Sequence, residues 1–478
     1  MTAQVKTSRQ ALLRVKRRRH RLHVPPKPAA SGGSVTLSAM TPLMVDRLFW
    51  RAGFGPTPEA RATWTGKPVA DAVEGILSTK HGAMVGPEPT IDNNPLDPIA
   101  DDVDLVLNWV DVMIRTPAPF VERMTLFWHR HWATSRQDVS PPQLMLRQNA
   151  LLRKYSDLAT NADADFRTMA IELTEDPAML RYLNGEQNSA GAPNENYGRE
   201  VMELFALGVT GPTGLPNYSE DDVKQIAKAL TGWVIDEGDP NQPVARFVQS
   251  RHQFGPKAVL GEIKRIETTQ QVIDHLTKQA AHAPHLVQRL WHEFIVPAPD
   301  AATLADLSKS YVDSGFKLRP LMQKILTNPA LFSSIDEPDM VKPPVIFLVG
   351  MYRSLGIGIV NRDAYDYLED MGQLPYFPPT VAGWEYGPPF LNTNTALARF
   401  GAASKAVARA TVEDAVETPQ GAFERAWAAV GQPWLAETSR SGLVAYATGA
   451  SLSTKQKRVA RQLVLRSMIL GGPDGQVM

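Results

Sequence analysis

The sequence predicts an all-α protein, a large multi-helix single domain with long Pro/Gly-rich loops and at most a small β-hairpin. Three observations indicate this fold class. Apolar residues recur at helical spacing along most of the chain. A threonine followed by proline, a pair typical of helix starts, opens two of these stretches, at Thr41 and at Thr57. Strand signals are sparse, and the best candidate is one short region near Gly255.

The helices are justified in chain order by this spacing. After the two that follow Thr41 and Thr57, it predicts helices at 98–115, 118–135, 141–158, 164–175, 196–208, 219–232, 268–279, 282–296, 301–312, 318–327, 342–355, 393–412, 420–430 and 455–470. The one strand-prone stretch, ARFVQSRHQFGPKAVLG, has two short runs around Gly255 and Pro256. We expect these runs to form a hairpin that projects from the helical body.

Two loops and one terminal arm complete the domain organisation. Residues 82–102 and 373–392 are rich in Pro, Gly and Asn and predict long irregular loops, which in compact domains are often functional. Residues 1–38 are rich in Arg, Pro, Gly and Ser and predict a disordered basic arm. Residues 39–478 are expected to form the helical domain.

Composition excludes several classes of function. Lys plus Arg and Asp plus Glu both number 50, so no overall positive field favours nucleic acid, and only the N-terminal arm could bind it. The chain has no cysteine, which excludes disulfides and thiolate metal sites, so that any divalent metal would need His, Asp or Glu ligands.

The sequence has few features of a targeting signal. No apolar stretch of about 18 residues predicts a transmembrane segment. The basic start lacks the apolar region of a signal peptide, so a cytoplasmic location is expected from the residues alone.

The stretch ERMTLFWHRHWATS places two histidines one residue apart on a predicted helix. Residues seven apart on a helix return to nearly the same face, so Glu122 and His129 share a face and His131 points away. Glu122 and His129 suit a metal pair or a catalytic base with its orienting acid. The alternative is a buried ion pair that fixes helix packing.

A second helix carries two acids on one stripe, Glu200 and Glu203 in NENYGREVMELF. Carboxylates on a core-leaning stripe are costly unless they are paired, protonated or metal-bound. They could perform acid and base catalysis on a glycosidic bond, or hold a divalent metal through His129 and Glu203. We therefore predict that His129 points toward this stripe.

Two further interpretations concern the surroundings of this stripe. Asn196 and Arg199 lie beside the two acids and are candidate substrate-binding residues. Alternatively, Arg123 or Arg199 neutralises Glu200 and Glu203 in purely structural ion pairs.

Candidate binding residues also occur in the hairpin and in the second long loop. His252 and Lys257 flank the predicted turn, and Trp384 and Asn392 lie in the loop. An aromatic face beside a short polar side chain is typical of sugar-binding clefts. The alternative is that the loop is an ordinary packing plug.

Several long blocks, in order, carry a resemblance to a known family. They are RLFWRAGFGPTPEA, ERMTLFWHRHWATS, NENYGREVMELFALGV, YSEDDVKQIAKALTGW, RHQFGPKAVLG, GQLPYFPPTVAGWEYGPPFLNTNTALARF and GGPDGQVM. The chain resembles the bacterial family called domain of unknown function 1800 (DUF1800), although Gln253 stands where that family has aspartate. The resemblance implies a mostly helical fold, frequent export and a sulfatase-like partner family. It implies no activity.

Two function classes follow from these residues. The first is a hydrolase of a carbohydrate or other cell-envelope polymer, dependent on carboxylates or a metal, with Glu200, Glu203, Glu122 and His129 as catalytic candidates. The second is a non-catalytic, envelope-associated scaffold that binds a polymer or protein partner. An open cleft at the acids would favour the enzyme, and a closed, fully paired cluster would favour the scaffold.

Overall fold

The computed structural model describes residues 39–478, except 212–213, 240–241, 386 and 451. The expectation for the arm at 1–38 lies outside the described residues. The α-helices of the described part are α1 Pro42–Arg51, α2 Pro58–Trp64, α3 Val69–Ser78, α4 Asp102–Arg115, α5 Pro119–His131, α6 Pro142–Ser156, α7 Phe166–Thr174, α8 Pro177–Tyr182, α9 Glu195–Glu200, α10 Glu220–Ala229, α11 Thr269–Thr277, α12 His282–Phe294, α13 Ala301–Asp313, α14 Leu318–Leu326, α15 Pro344–Leu355, α16 Asp363–Asp370, α17 Thr393–Arg409, α18 Pro419–Ala429, α19 Glu437–Gly449 and α20 Lys455–Gly471.

The helix starts show why the sequence folds this way. The Thr41 hydroxyl accepts a hydrogen bond from the Met44 amide at 3.3 Å, and Thr57 caps α2 in the same manner. The all-α class is confirmed. The spacing did not predict four helices, α3, α8, α16 and α19. Helices α3, α16 and α19 begin without a side-chain cap and therefore carry a weaker start signal, whereas α8 is capped by Asp176 but has only six residues.

Among the described residues, the strands form three separate antiparallel hairpins and not one. They pair β1 Thr90–Ile91 with β2 Asn94–Pro95, β3 Trp233–Asp236 with β4 Val244–Phe247, and β5 Pro256–Val259 with β6 Glu262–Arg265. The predicted pairing across Gly255 is wrong. Each of the two runs pairs instead with a neighbour outside the quoted stretch, because Gly261, with φ of 80°, allows the tight turn between β5 and β6.

Two apolar cores are present, and α5 contributes to both. The first core contains Phe127 and Trp128 of α5 and most of the helices between α7 and α14. The second contains Leu126 of α5, Trp109 of α4 and the helices from α15 to α20. Side chains on opposite sides of α5 therefore enter different environments.

The C-terminal residues 473–478 pack into the second core. The backbone groups of Met478 pair with those of Met340, and the Gln476 amide donates to the Leu470, Gly471 and Gly472 carbonyls that end α20. Gly475 lies so close to α20 that a Cβ atom there would be 2.1 Å from the Leu470 carbonyl oxygen. Only glycine fits this contact.

Within the described ranges, no helix has both the length and the apolar character needed to cross a bilayer.

Candidate functional site

The two histidines of α5 enter different cores. His129 packs against Trp109, Tyr376 and Trp384, with ring centroids 5.4 to 5.7 Å apart. His131 packs against Phe127, Phe166 and Phe205 in the first core. The helical geometry thus separates them as the spacing predicts.

His129 is buried and bonded to backbone. Its Nε2 accepts a hydrogen bond from the Tyr376 amide at 3.0 Å, and burial lowers the pKa of His129 to about 3. Tyr376 has a φ of 66°, a left-handed conformation that is costly for a non-glycine residue. A neutral His129 therefore holds a strained loop residue in place.

His131 belongs to a set of three histidines that we call the histidine cap, of which His131 and His282 are buried and His285 is half-buried. His285, His131 and His282 contact three consecutive carbonyl oxygens, those of Leu204, Phe205 and Ala206, at 3.0, 3.2 and 2.9 Å. These carbonyls end the helix that carries Glu200 and Glu203, and such terminal carbonyls lack partners within a helix. Burial lowers the pKa of His282 and of His285 to about 4 and that of His131 well below its usual value.

The prediction that His129 points toward the Glu200 and Glu203 stripe is wrong. The histidine of α5 that reaches this segment is His131, and it bonds to the Phe205 backbone and not to a carboxylate. The spacing separated the two histidines correctly but could not tell which core each one enters.

Glu122 is fully buried and has three partners. Its carboxylate accepts hydrogen bonds from Trp109 Nε1 at 2.8 Å and from Arg153 Nε and Nη2 at 2.6 and 3.0 Å. His81 Nε2 lies 3.3 Å from Oε1. Burial alone would raise the pKa of Glu122, but His81, Arg153 and Trp109 together hold it below its usual value, so the carboxylate stays ionised.

Trp109 connects Glu122 to His129, because it donates to Glu122 and packs its ring against His129. The histidine in contact with Glu122 is nevertheless His81, at the edge of the first long loop. Glu122 is thus paired with a histidine, as predicted, but the histidine is His81 and not His129.

Glu200 and Glu203 lie where the helix changes its winding. From Val201 to Ala206 the backbone forms a π-helix, with the Leu207 amide bonded to the Met202 carbonyl five residues back at 2.9 Å. Single π turns inside α-helices are frequent at functional sites. Gly198 lets α9 approach α10 closely, since a Cβ there would be 3.0 Å from the Ala227 amide nitrogen.

The two carboxyls have different environments. Burial, and then the charge of Glu203, raise the pKa of the half-buried Glu200 to about 7. Glu203 accepts a hydrogen bond from the Tyr218 hydroxyl at 2.7 Å. No described residue donates a hydrogen bond to the Glu200 carboxyl. Near pH 7 the Glu200 carboxyl is therefore partly protonated. It lies beside Glu203, whose carboxylate accepts the hydrogen bond from Tyr218.

The two arginines proposed to neutralise this pair have other carboxylate partners, although the charge of Arg199 acts on Glu200 and partly offsets the rise in its pKa. Arg123 binds Glu293 of α12, and Arg130 binds the other oxygen of that carboxylate at 2.6 Å. Arg199 binds Glu220 and Glu195. The carboxylates that Arg199 contacts directly are thus Glu220 and Glu195, and its effect on Glu200 is that of a nearby charge.

The remaining candidate binding residues are dispersed. Asn196 is exposed and donates to the Leu183 carbonyl at 3.2 Å, whereas Asn392 caps α17. His252 contacts the Thr231 carbonyl at 2.8 Å, and Lys257 donates to the Gln253 carbonyl at 2.7 Å. Trp384, packed on His129, is buried. These four residues and Trp384 do not form one cleft.

In the part of the chain that the structure describes, no three His, Asp or Glu side chains are arranged to hold a metal ion. His129 and Glu203, the predicted metal pair, have different neighbours, as described above.

Comparison with known proteins gives one match. The family model described as protein of unknown function (DUF1800) matches residues 47–477. The chain belongs to the DUF1800 family. No curated protein and no solved structure matches it.

Three residues near the candidate sites of this DUF1800 protein were not singled out by sequence reasoning. His81 is an isolated histidine before a loop, and Tyr218 and Tyr182 belong to other segments than Glu200. Tyr218 is 15 residues from the Glu203 that it contacts. The sequence places Tyr218 just before Ser219, the capping residue of α10. This position predicts a helix start, but it does not predict the contact of Tyr218 with Glu203.

The raised pKa of Glu200 predicts a pH-dependent stability. Below pH 4.5 the carboxyl is neutral in both states, and between pH 4.5 and about 7 it ionises first in the unfolded chain, so stability falls as pH rises through this window. We expect Glu200→Gln, which stays neutral, to be more stable than the parent at pH 8 by about 1 kcal/mol, after discounting for solvent screening. Urea unfolding at pH 4.5 and pH 8 measures this, and an equal difference at both values would contradict it.

Proposed function

We propose that this protein is a carboxylate-dependent hydrolase that acts on a glycosidic bond of a carbohydrate or other envelope polymer. The observation that supports this is the pair Glu200 and Glu203, in which a half-buried carboxyl with a raised pKa lies beside a carboxyl that accepts a hydrogen bond from Tyr218. Two neighbouring carboxyls in different environments can divide the roles of acid and base. Paired carboxyls of this kind are the usual catalytic groups of glycosidases.

The roles follow from the contacts. Glu200, partly protonated near pH 7, would give its proton to the oxygen of the leaving sugar. Glu203 would accept the proton of the attacking water or stabilise the positive charge that develops on the sugar ring. Tyr218 holds the Glu203 carboxylate in one orientation through its hydroxyl.

The suggested substrate class rests on the tyrosines near the pair. Tyr218 bonds to Glu203, and Tyr182 is close enough for the charge of Glu200 to contribute to raising its pKa to about 12, after burial as the main cause. Aromatic rings pack well against the apolar faces of sugars. The metal-dependent variant with His129 and Glu203 has no such support, because His129 is enclosed by Trp109, Tyr376 and Trp384.

Release of reducing ends from a panel of soluble polysaccharides and peptidoglycan fragments tests the proposal. We expect Glu200→Gln and Glu203→Gln each to lower the rate at least 100-fold, because each removes one proton-transfer group. Glu220→Gln is the matched control, since Glu220 is an exposed glutamate that binds Arg199 nearby. Activity that survives in both pair variants, or that the control also loses, would refute the assignment.

A scaffold is the second candidate function, and one observation favours it. Glu122 and His129 are both buried and are joined through Trp109, an arrangement of the kind that stabilises a fold. If no substrate in the panel is hydrolysed, co-purification from an envelope extract, with a sulfatase-like protein as the expected partner, becomes the decisive measurement.

A further inference from the structure

An open basin of about 500 Å3 lies beside two partners of Glu122, His81 and Arg153. Its lining residues are His81, Ala150, Arg153, Lys154, Asp157, Thr160 and Asn161. None of the residues assigned to the proposed glycosidase centre lines it. Six of its seven lining residues are polar.

His81 and Glu122 form an acid and histidine pair at this basin. About a quarter of the His81 side chain is exposed, whereas Glu122 is fully buried. The 3.3 Å separation between Nε2 and Oε1 is not aligned as a hydrogen bond, and such bonds in active sites often tighten only when substrate binds. Trp109 and Arg153 hold the carboxylate, so the acid has a fixed position from which to orient the ring.

The carboxylate selects the tautomer of His81. An ionised Glu122 favours the N–H on the nearer nitrogen, Nε2, which places the lone pair on Nδ1. No described residue hydrogen-bonds to Nδ1. The ring therefore has the arrangement of a general base, with an orienting acid on one nitrogen and a free lone pair on the other.

Arg153 supplies a donor beside this base. Its Nε and Nη2 donate to Glu122, and Nη1 has no hydrogen-bond partner among the described residues. The other charged groups of the basin are occupied. Lys154 binds both oxygens of Glu172, and Asp157 accepts from the Ala159 and Thr160 amides. Arg153 is thus the group able to stabilise a developing oxyanion.

We propose that the basin is a second hydrolytic site that cleaves a small, uncharged carboxylic ester, with His81 as general base and Arg153 as oxyanion donor. Nδ1 of His81 removes a proton from water as its oxygen attacks the ester carbonyl carbon, and the carbonyl oxygen becomes an alkoxide beside Nη1. The alkoxide then re-forms the carbonyl and expels the alcohol oxygen, which takes the proton from the imidazolium. The products are one acid and one alcohol. Glu122 is a positioning residue.

The full-length protein tests this with p-nitrophenyl acetate and p-nitrophenyl butyrate as probes. We expect His81→Asn to lower kcat/KM at least 100-fold, while the exposed His292→Asn keeps the parent rate. Because His81 is partly exposed and lies in a loop, its replacement leaves the core intact. Equal loss in both variants, an unchanged rate in His81→Asn, or no hydrolysis above buffer by the parent would overturn the proposal.

Two further measurements separate this site from a structural contact and from the glycosidase pair. The acid limb of the esterase pH profile should coincide with the titration of the His81 ring followed by NMR, and Glu122→Gln should move both together. If the acid limb of the pH profile does not coincide with the titration of the His81 ring, the role of His81 as general base is overturned. Glu200→Gln should retain full esterase activity, and if it does not, the two sites are not independent and the basin assignment fails.

Discussion

Replacing Glu293 with glutamine is expected to lower the free energy of unfolding by about 3–5 kcal/mol. Glu293 is buried, and its carboxylate binds both Arg123 and Arg130. Arg289 lies close by, and burial followed by the charge of Arg130 lowers its pKa to about 10. Without the carboxylate, three guanidinium groups would repel one another away from water. Urea unfolding at pH 7 gives the measurement.

Glu424→Gln is the matched control for that experiment. Glu424 is an exposed glutamate on α18 that accepts one hydrogen bond from Gln420, so its replacement should change the stability by less than about 0.5 kcal/mol. If Glu293→Gln changed the free energy of unfolding as little as the control does, the charges of the arginines would be compensated by other groups, and the prediction would be wrong.

Gly475→Ala is the second replacement with a large expected effect, a loss of about 3 kcal/mol. The added Cβ would lie 2.1 Å from the Leu470 carbonyl oxygen and 2.7 Å from that of Ile469. Both are backbone atoms of α20 and cannot rotate away as a side chain can. The shift of the thermal midpoint, together with the urea midpoint, measures the loss.

Gly442→Ala provides the contrast in the same half of the molecule. Gly442 lies inside α19, and no atom is within 4 Å of the position of its Cβ. Alanine is the better helix former, so this change should raise stability by about 0.5–1 kcal/mol. If both glycine replacements behaved alike, close packing of the C-terminal residues would not be the cause.

The fold could be predicted to the extent that local signals decide it. Thr41, Thr57 and Ser219 mark helix starts because their side chains bond to amides three residues on, a contact visible in the sequence. Helices α3 and α19 lack such caps, so their formation depends on packing against other elements. Strand pairing was mispredicted for the same reason, since register depends on partners that the spacing alone does not identify.

The candidate sites show the same division. Helical periodicity correctly places Glu122 and His129 on one side of α5, where Trp109 contacts both. It contains no information on contacts between distant segments. His81 reaches Glu122 across 41 residues of sequence, and Arg123 reaches Glu293 across 170. Long-range contacts of this kind, which decide whether an acid is paired, required the three-dimensional structure.

The histidine cap makes the stability of the segment that carries Glu200 and Glu203 depend on pH. Each cap histidine has a pKa below its usual 6.5, so its contribution to stability is complete above that pH and is lost as the pH falls toward 4. Three imidazoles charging together would repel one another, and burial would penalise each charge. At acid pH the end of the helix that carries Glu200 and Glu203 would therefore lose contacts that hold its last carbonyls.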